Sequence, residues 1–131
     1  MSHEITSEDQ ELIDAAAEVL RRNYRDYSHT VGAAIRCGSG KIYAAVNVDS
    51  VGYGPCAEPI AIGMAISAGE REFTTIAGVR RDGKPLAPCG NCRQLLSEYA
   101  PAVNILLSKD GGIVKVPITN LLPDAYSRPA P

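Results

Sequence analysis

Long apolar runs are missing from this sequence, and no stretch approaches the length of a membrane-spanning helix, so no membrane partner is expected. Excess charge of either sign is missing too. Lys and Arg number 13 against 15 Asp and Glu, a formal net charge of -2, which disfavours a bound polyanion such as nucleic acid. The densest basic stretch, RRNYR at 21–25, falls at the end of an expected helix, where positive charge complements the dipole and stays solvated. The opening MSHEITSEDQELIDAAAEVL mixes acids into its apolar positions and lacks a charged leader followed by a hydrophobic stretch. A signal peptide is therefore not expected, and the cytoplasm is the expected location. Repeats and low-complexity linkers are also lacking. With 131 residues, the expectation is one domain over residues 1–131. Cysteines are few, four in all, and in such a chain they argue for metal binding or catalysis rather than a disulfide framework.

What is present alternates between helical and strand patterns. Ser7 with Gln10 reads as a capping box, ahead of Leu12, Ile13, Ala16, Val19 and Leu20 at helical spacing. VGAAIRC from Val31 puts Val31, Ala33, Ile35 and Cys37 on one face, and GSG turns it into KIYAAVNV, a hairpin. A Gly-rich loop, VGYGP, leads to the helix CAEPIAIGMAISAG, then the strand TTIAGVRR, the loop DGKPLAP and the helix CGNCRQLLSEYA. VNILLS and IVKVPI read as strands around KDGG, and TNLLPDAY as a short terminal helix. The pattern predicts an α/β fold in three layers, a mixed sheet of about five strands with helices on both faces.

Two short motifs carry the chemistry. Cys56 and Glu58 stand two positions apart where one helix begins, and Cys89 and Cys92 open another behind Pro88. Sulfurs at that second spacing share one helical face and can share an ion. If the two helix starts abut, three thiolates converge, the ligand set of a catalytic zinc that leaves a fourth position to water. Helix N-termini stabilise thiolates and offset their charge. Glu58 is then placed to touch the zinc-activated water without ligating the metal, and to move its proton to a leaving group. A ligand followed by x-Glu, with a later Pro-Cys-x-x-Cys, is the zinc-deaminase arrangement, in which hydroxide attacks an amidine-like carbon and ammonia departs. The alternative is a closed structural zinc with Cys37 as fourth ligand. Cys37 shares the apolar face of Val31 and Ile35, which points to the core instead, and a closed site leaves Glu58 unused.

At these motifs the sequence resembles the small homotetrameric zinc cytidine deaminases, and within that family it is similar to the blasticidin S deaminases. The likeness runs through YSHTVGAAI (27–35), VNV (46–48), GPCAE (54–58), PCGNCRQLL (88–96) and LLPDAY (121–126). The resemblance implies one zinc per subunit held by Cys56, Cys89 and Cys92, and Glu58 as proton shuttle. It implies a nucleoside as substrate, cytidine or 2′-deoxycytidine giving the uridine product and ammonia, and a homotetramer. Asn47 matches the asparagine that contacts the sugar, and Ala57 falls within the substrate motif. Tyr126 matches a C-terminal aromatic that reaches the active site, often that of a neighbouring subunit. Tyr53 in the Gly-rich loop is a candidate for lining the pocket. His29 reads as polar loop surface.

Three departures bear on the substrate. Asp49 stands where the family usually has a ribose-binding glutamate, and Pro59 where it has an arginine expected to bond a zinc thiolate. The phenylalanine that follows the Tyr-Ser pair in the family is absent, with His29 and Thr30 in its region. Asp49 and Pro59 favour the alternative of blasticidin S or another modified aminopyrimidine. Arg93 is a candidate to supply the missing charge. A nucleic-acid-editing module and a catalytically silent zinc protein are the remaining alternatives.

Overall fold

The computed structural model describes residues 5–130, so the start of the opening segment read above for a leader lies outside the described residues. Helix α1 (Ser7–Asn23) starts one residue earlier than the Ser7 capping box predicts. Thr6 is the N-cap: its Oγ1 accepts from the Asp9 amide at 3.1 Å, and Asp9 Oδ2 accepts from the Thr6 amide at 2.9 Å. Asp9 wins the reciprocal position because its carboxylate also meets Lys115 Nζ at 2.8 Å.

Strands β1 (Gly32–Cys37) and β2 (Ile42–Val46) form the expected antiparallel hairpin. Helix α2 (Ala57–Ser67) and strand β3 (Phe73–Val79) follow, then β4 (Pro85–Leu86), helix α3 (Gly90–Tyr99), strands β5 (Asn104–Lys109) and β6 (Gly112–Pro117), and the short helix α4 (Ile118–Leu121). The sheet runs β2-β1-β3-β5-β6. Only β3 and β5 are parallel, with α3 in the crossover between them. Strand β4 lies inside the segment read as a loop, and its two residues pair with Gly78 and Val79. It continues the edge of β3 beyond the point where β5 stops, and with it the expected sheet of about five strands has six.

Central strand β3 is buried at every position but Thr74, as its near-continuous apolar run demands. One sheet face packs Ala34, Ala77, Val79 and Leu106 against Leu12, Ile13 and Ala16 of α1. The other packs Ala33, Ile35, Cys37 and Ile76 against Ala61, Ile62 and Ala65 of α2 and Leu96 of α3. These are the three predicted layers. Helix α1 lies so close to β1 that a Cβ at Gly32 would overlap the Ala16 carbonyl oxygen. The KDGG turn is the mirror-image type that suits twisted hairpins, with Asp110 at φ 52 and Gly111 at φ 82.

Candidate metal centre and substrate pocket

One end of the sheet collects the lead into β1, the exits of β2 and β3, strand β4, and the N-termini of α2 and α3. Cys56 is the N-cap of α2 and Cys89 the N-cap of α3, neither with a side-chain cap bond, so both thiols stay available. Cys92 is buried in the first turn of α3. The Cys56 and Cys89 sulfurs are 3.7 Å apart, those of Cys89 and Cys92 3.4 Å, and all three lie within 4.8 Å of one another. Tetrahedral zinc with sulfur at about 2.3 Å requires sulfur pairs roughly 3.8 Å apart, so the donor set fits the metal in type and spacing.

The protonation balance points the same way. Burial and the neighbouring negative groups push the Cys92 thiol far up, and burial also raises Cys56. Burial acts on Cys89 too, but hydrogen bonds from the Cys92 and Asn91 amides and from the neighbouring thiols outweigh it and bring that thiol down. All three groups become thiolates together only with a cation among them. Cys37 does not belong to the group: it sits at the far end of β1, about 17 Å along a strand of that length, fully buried in the core. There, burial and the Glu70 charge raise its pKa to about 11. The closed four-cysteine alternative is thereby excluded.

Glu58 stands in the first turn of α2, only 5% exposed, with Oε1 3.9 Å from Cys92 Sγ. Burial lifts its carboxyl above the ordinary range, partly offset by a backbone amide. Pro59 follows it in the same first turn, where a proline costs no helical hydrogen bond. The missing family arginine is not replaced by Arg93. Its Nε donates to the Pro88 carbonyl at 2.8 Å and its Nη1 to that of Leu121 at 3.0 Å. It thus ties the strap before Cys89 to α4.

Around the thiols and Glu58 opens a cavity of about 320 Å³, within the ordinary range of small-molecule sites. Asn47, Asp49 and Ala57 line it, as do Val31, Leu86 and Arg80. Asn47 is pinned at its carbonyl end. Oδ1 accepts from the Thr30 and Val31 amides at 2.8 and 3.0 Å, which commits its acceptor and leaves the side-chain NH2 as the free end. His29, read as loop surface, instead places Nδ1 2.8 Å from the Asn47 backbone oxygen and braces that residue. Tyr53 is 82% exposed on its loop and Tyr126 70% exposed in a separate hollow of about 520 Å³ beside α3 and α4. Neither tyrosine lines the thiol pocket of its own chain.

Sequence reasoning missed Arg80, Gly78 and Leu86. A Cβ at Gly78 would come within 2.8 Å of Glu58 Oε2, so the bare backbone there makes room for the carboxylate. The available signal was topological: Arg80 follows the carboxyl end of a central strand, where α/β sheets place their ligands.

The geometry agrees with known proteins. The family profile described as the cytidine and deoxycytidylate deaminase zinc-binding region matches residues 6–107. The blasticidin-S deaminase of Bacillus cereus is 41% identical over 134 residues, covering 95% of this chain and 96% of that protein. The cytidine deaminase of Halalkalibacterium halodurans is 35% identical over 123 residues, covering 90% and 93%. Among solved structures, the cytidine deaminase of Burkholderia pseudomallei superposes with a TM-score of 0.78 at 35% identity, covering 93% of this chain and 100% of that one. Fold, thiol cluster and similarity agree: the chain belongs to the cytidine and deoxycytidylate deaminase family of zinc-binding hydrolytic deaminases.

Proposed function

We propose that this chain, as a single deaminase domain, converts free cytidine or 2′-deoxycytidine to uridine or 2′-deoxyuridine with release of ammonia. The observation that carries this reading is a buried Glu58 carboxyl 3.9 Å from one of three clustered thiols in a cavity of about 320 Å³. Cys56, Cys89 and Cys92 would hold the one zinc of each subunit. Bound there, zinc supplies an activated water near neutral pH. Glu58 would take one proton of the attacking water and pass it to the ring nitrogen as the oxygen bonds to C4, then take the second proton from the resulting C4 hydroxyl and pass it to the departing amine, so one carboxyl serves each transfer. The C4–N bond breaks, a C4 carbonyl forms, and one water is consumed per ammonia released.

The Asn47 NH2 donates to the sugar, Asp49 accepts from a sugar hydroxyl, and Ala57 borders the base. Tyr126 closes the pocket from a neighbouring subunit of a cytoplasmic homotetramer, where its ring shields the site from water. A second reading, blasticidin S or another modified aminopyrimidine, is favoured by Asp49 and by the 41% identity with the Bacillus cereus protein. Nothing basic enough for a nucleic-acid substrate accompanies a net charge of -2.

Ultraviolet monitoring of cytidine, 2′-deoxycytidine and blasticidin S with the zinc-analysed protein separates these readings. Turnover of the nucleosides, lost by about 10³-fold in Glu58→Gln with zinc content unchanged, is the expected result. Turnover of blasticidin S alone transfers the assignment to the second reading, and no turnover of any of the three by zinc-loaded protein overturns both.

A further inference from the structure

Arg80 follows β3 directly and is the one cation among the residues lining the substrate pocket. Other arginines near it in the fold are engaged. Arg81 lies over the Tyr24 ring at 4.3 Å from its centroid, Arg21 pairs with Glu18 at 2.6 Å, and Arg93 is held by two carbonyls. Arg80 takes part in no ion pair among the described residues. It also walls a second hollow, about 270 Å³, with Arg21, Tyr24 and Arg81. Arg80 thus stands where the substrate pocket adjoins this arginine-lined hollow.

A neutral cytosine nucleoside offers a guanidinium nothing charged to pair with. Its sugar hydroxyls suit Asn47 and Asp49, which line the same pocket. A free guanidinium is matched instead by a carboxylate or a phosphate, each able to accept two parallel N–H bonds. We infer that Arg80 is a specificity residue that pairs with an anionic substituent, carboxylate or phosphate, on the sugar of the aminopyrimidine substrate. The inference rests on the deaminase reading above and refines which sugar that site prefers. The rival role for Arg80 is to offset the charge of the thiolates, which acts on neutral and anionic substrates alike.

The test compares zinc-loaded wild type with Arg80→Gln and Arg80→Lys. It measures kcat/KM for cytidine, cytidine 5′-carboxylate, cytidine 5′-monophosphate and blasticidin S, whose sugar bears a carboxylate. Calorimetric Kd values for uridine, uridine 5′-carboxylate and uridine 5′-monophosphate supply a readout independent of turnover. Wild type should favour an anionic member over the neutral one, and the anionic-to-neutral ratio should fall roughly 10- to 100-fold in Arg80→Gln and recover in part in Arg80→Lys. Which arm carries the preference identifies carboxylate or phosphate. Ratios unmoved by Arg80→Gln overturn the inference. Should no substrate turn over, the deaminase reading falls, and the Kd ratios of the uridine series still decide the role of Arg80.

Discussion

Glu58 owes its position to a side chain that is missing from the neighbouring strand. At Gly78 of β3 an added Cβ would stand 2.8 Å from Glu58 Oε2 and 3.3 Å from its carboxyl carbon. A branched residue there forces the carboxylate to move while leaving the three sulfurs where the two helix N-termini hold them. On the proposed role of Glu58 as proton shuttle, Gly78→Val should lower kcat by about 10- to 100-fold, the cost of misplacing such a group by an ångström, with zinc content preserved. Steady-state kinetics beside metal analysis checks this, and an unchanged kcat would show that Glu58 does not need that space. Legibility at this scale divides sharply. Cys56, Glu58, Cys89 and Cys92 could be read because their spacing is local to two helix starts. Gly78, Arg80 and the bracing His29 could not, because each acts through a contact with a residue far away in sequence, and no local pattern encodes it.

At the scale of elements, helices and the long strands were legible from period and turn chemistry, while short or competitively capped features were not. Two-residue β4 has no alternation to read and exists because it extends the open edge of β3. The N-cap of α1 shifted to Thr6 because Asp9 has a tertiary partner that no capping rule contains. The carboxylate of Asp9 binds both the Thr6 amide and Lys115 Nζ through Oδ2, joining the start of α1 to β6. Burial alone would raise this carboxyl, but hydrogen bonds from Lys115 and Thr6 and the charge of Lys115 outweigh it and hold it below its ordinary value. A depressed carboxyl contributes stability that is complete above its unfolded pKa of about 3.9 and is lost as pH falls through the lower folded value. Asp9→Asn should thus cost about 1–3 kcal/mol at pH 7 and flatten the acid side of the stability profile below about pH 4. Urea denaturation at pH 7 and at pH 3 measures both effects, and an equal loss at the two pH values would exclude the Lys115 tie as the cause.

At the scale of the whole molecule, α2 is the element whose surface does not suit a lone subunit. Its sequence, AEPIAIGMAIS, has one charged residue, and that residue, Glu58, faces inward. Ile60 and Ile66 are half-buried and Met64 is 44% exposed, so the side turned from the sheet is apolar as well. A helix apolar on all sides is ordinarily covered on all sides. The proposed homotetramer supplies that cover, and it also bears on Tyr126, which lies outside the thiol pocket of its own chain. If subunits meet through α2, assembly and catalysis are coupled: the same contact that hides Met64 brings a neighbour's Tyr126 to the pocket. Met64→Lys places a charge in that contact without touching thiols, Glu58 or the pocket walls. Light scattering should show wild type as a tetramer and the variant shifted to smaller species, with kcat/KM reduced by about tenfold or more through loss of the shielding ring. Tyr126→Ala in an intact tetramer should reproduce the kinetic loss without the change in mass. A Met64→Lys protein that falls apart yet keeps full kcat/KM would separate the two and confine the active site to one chain.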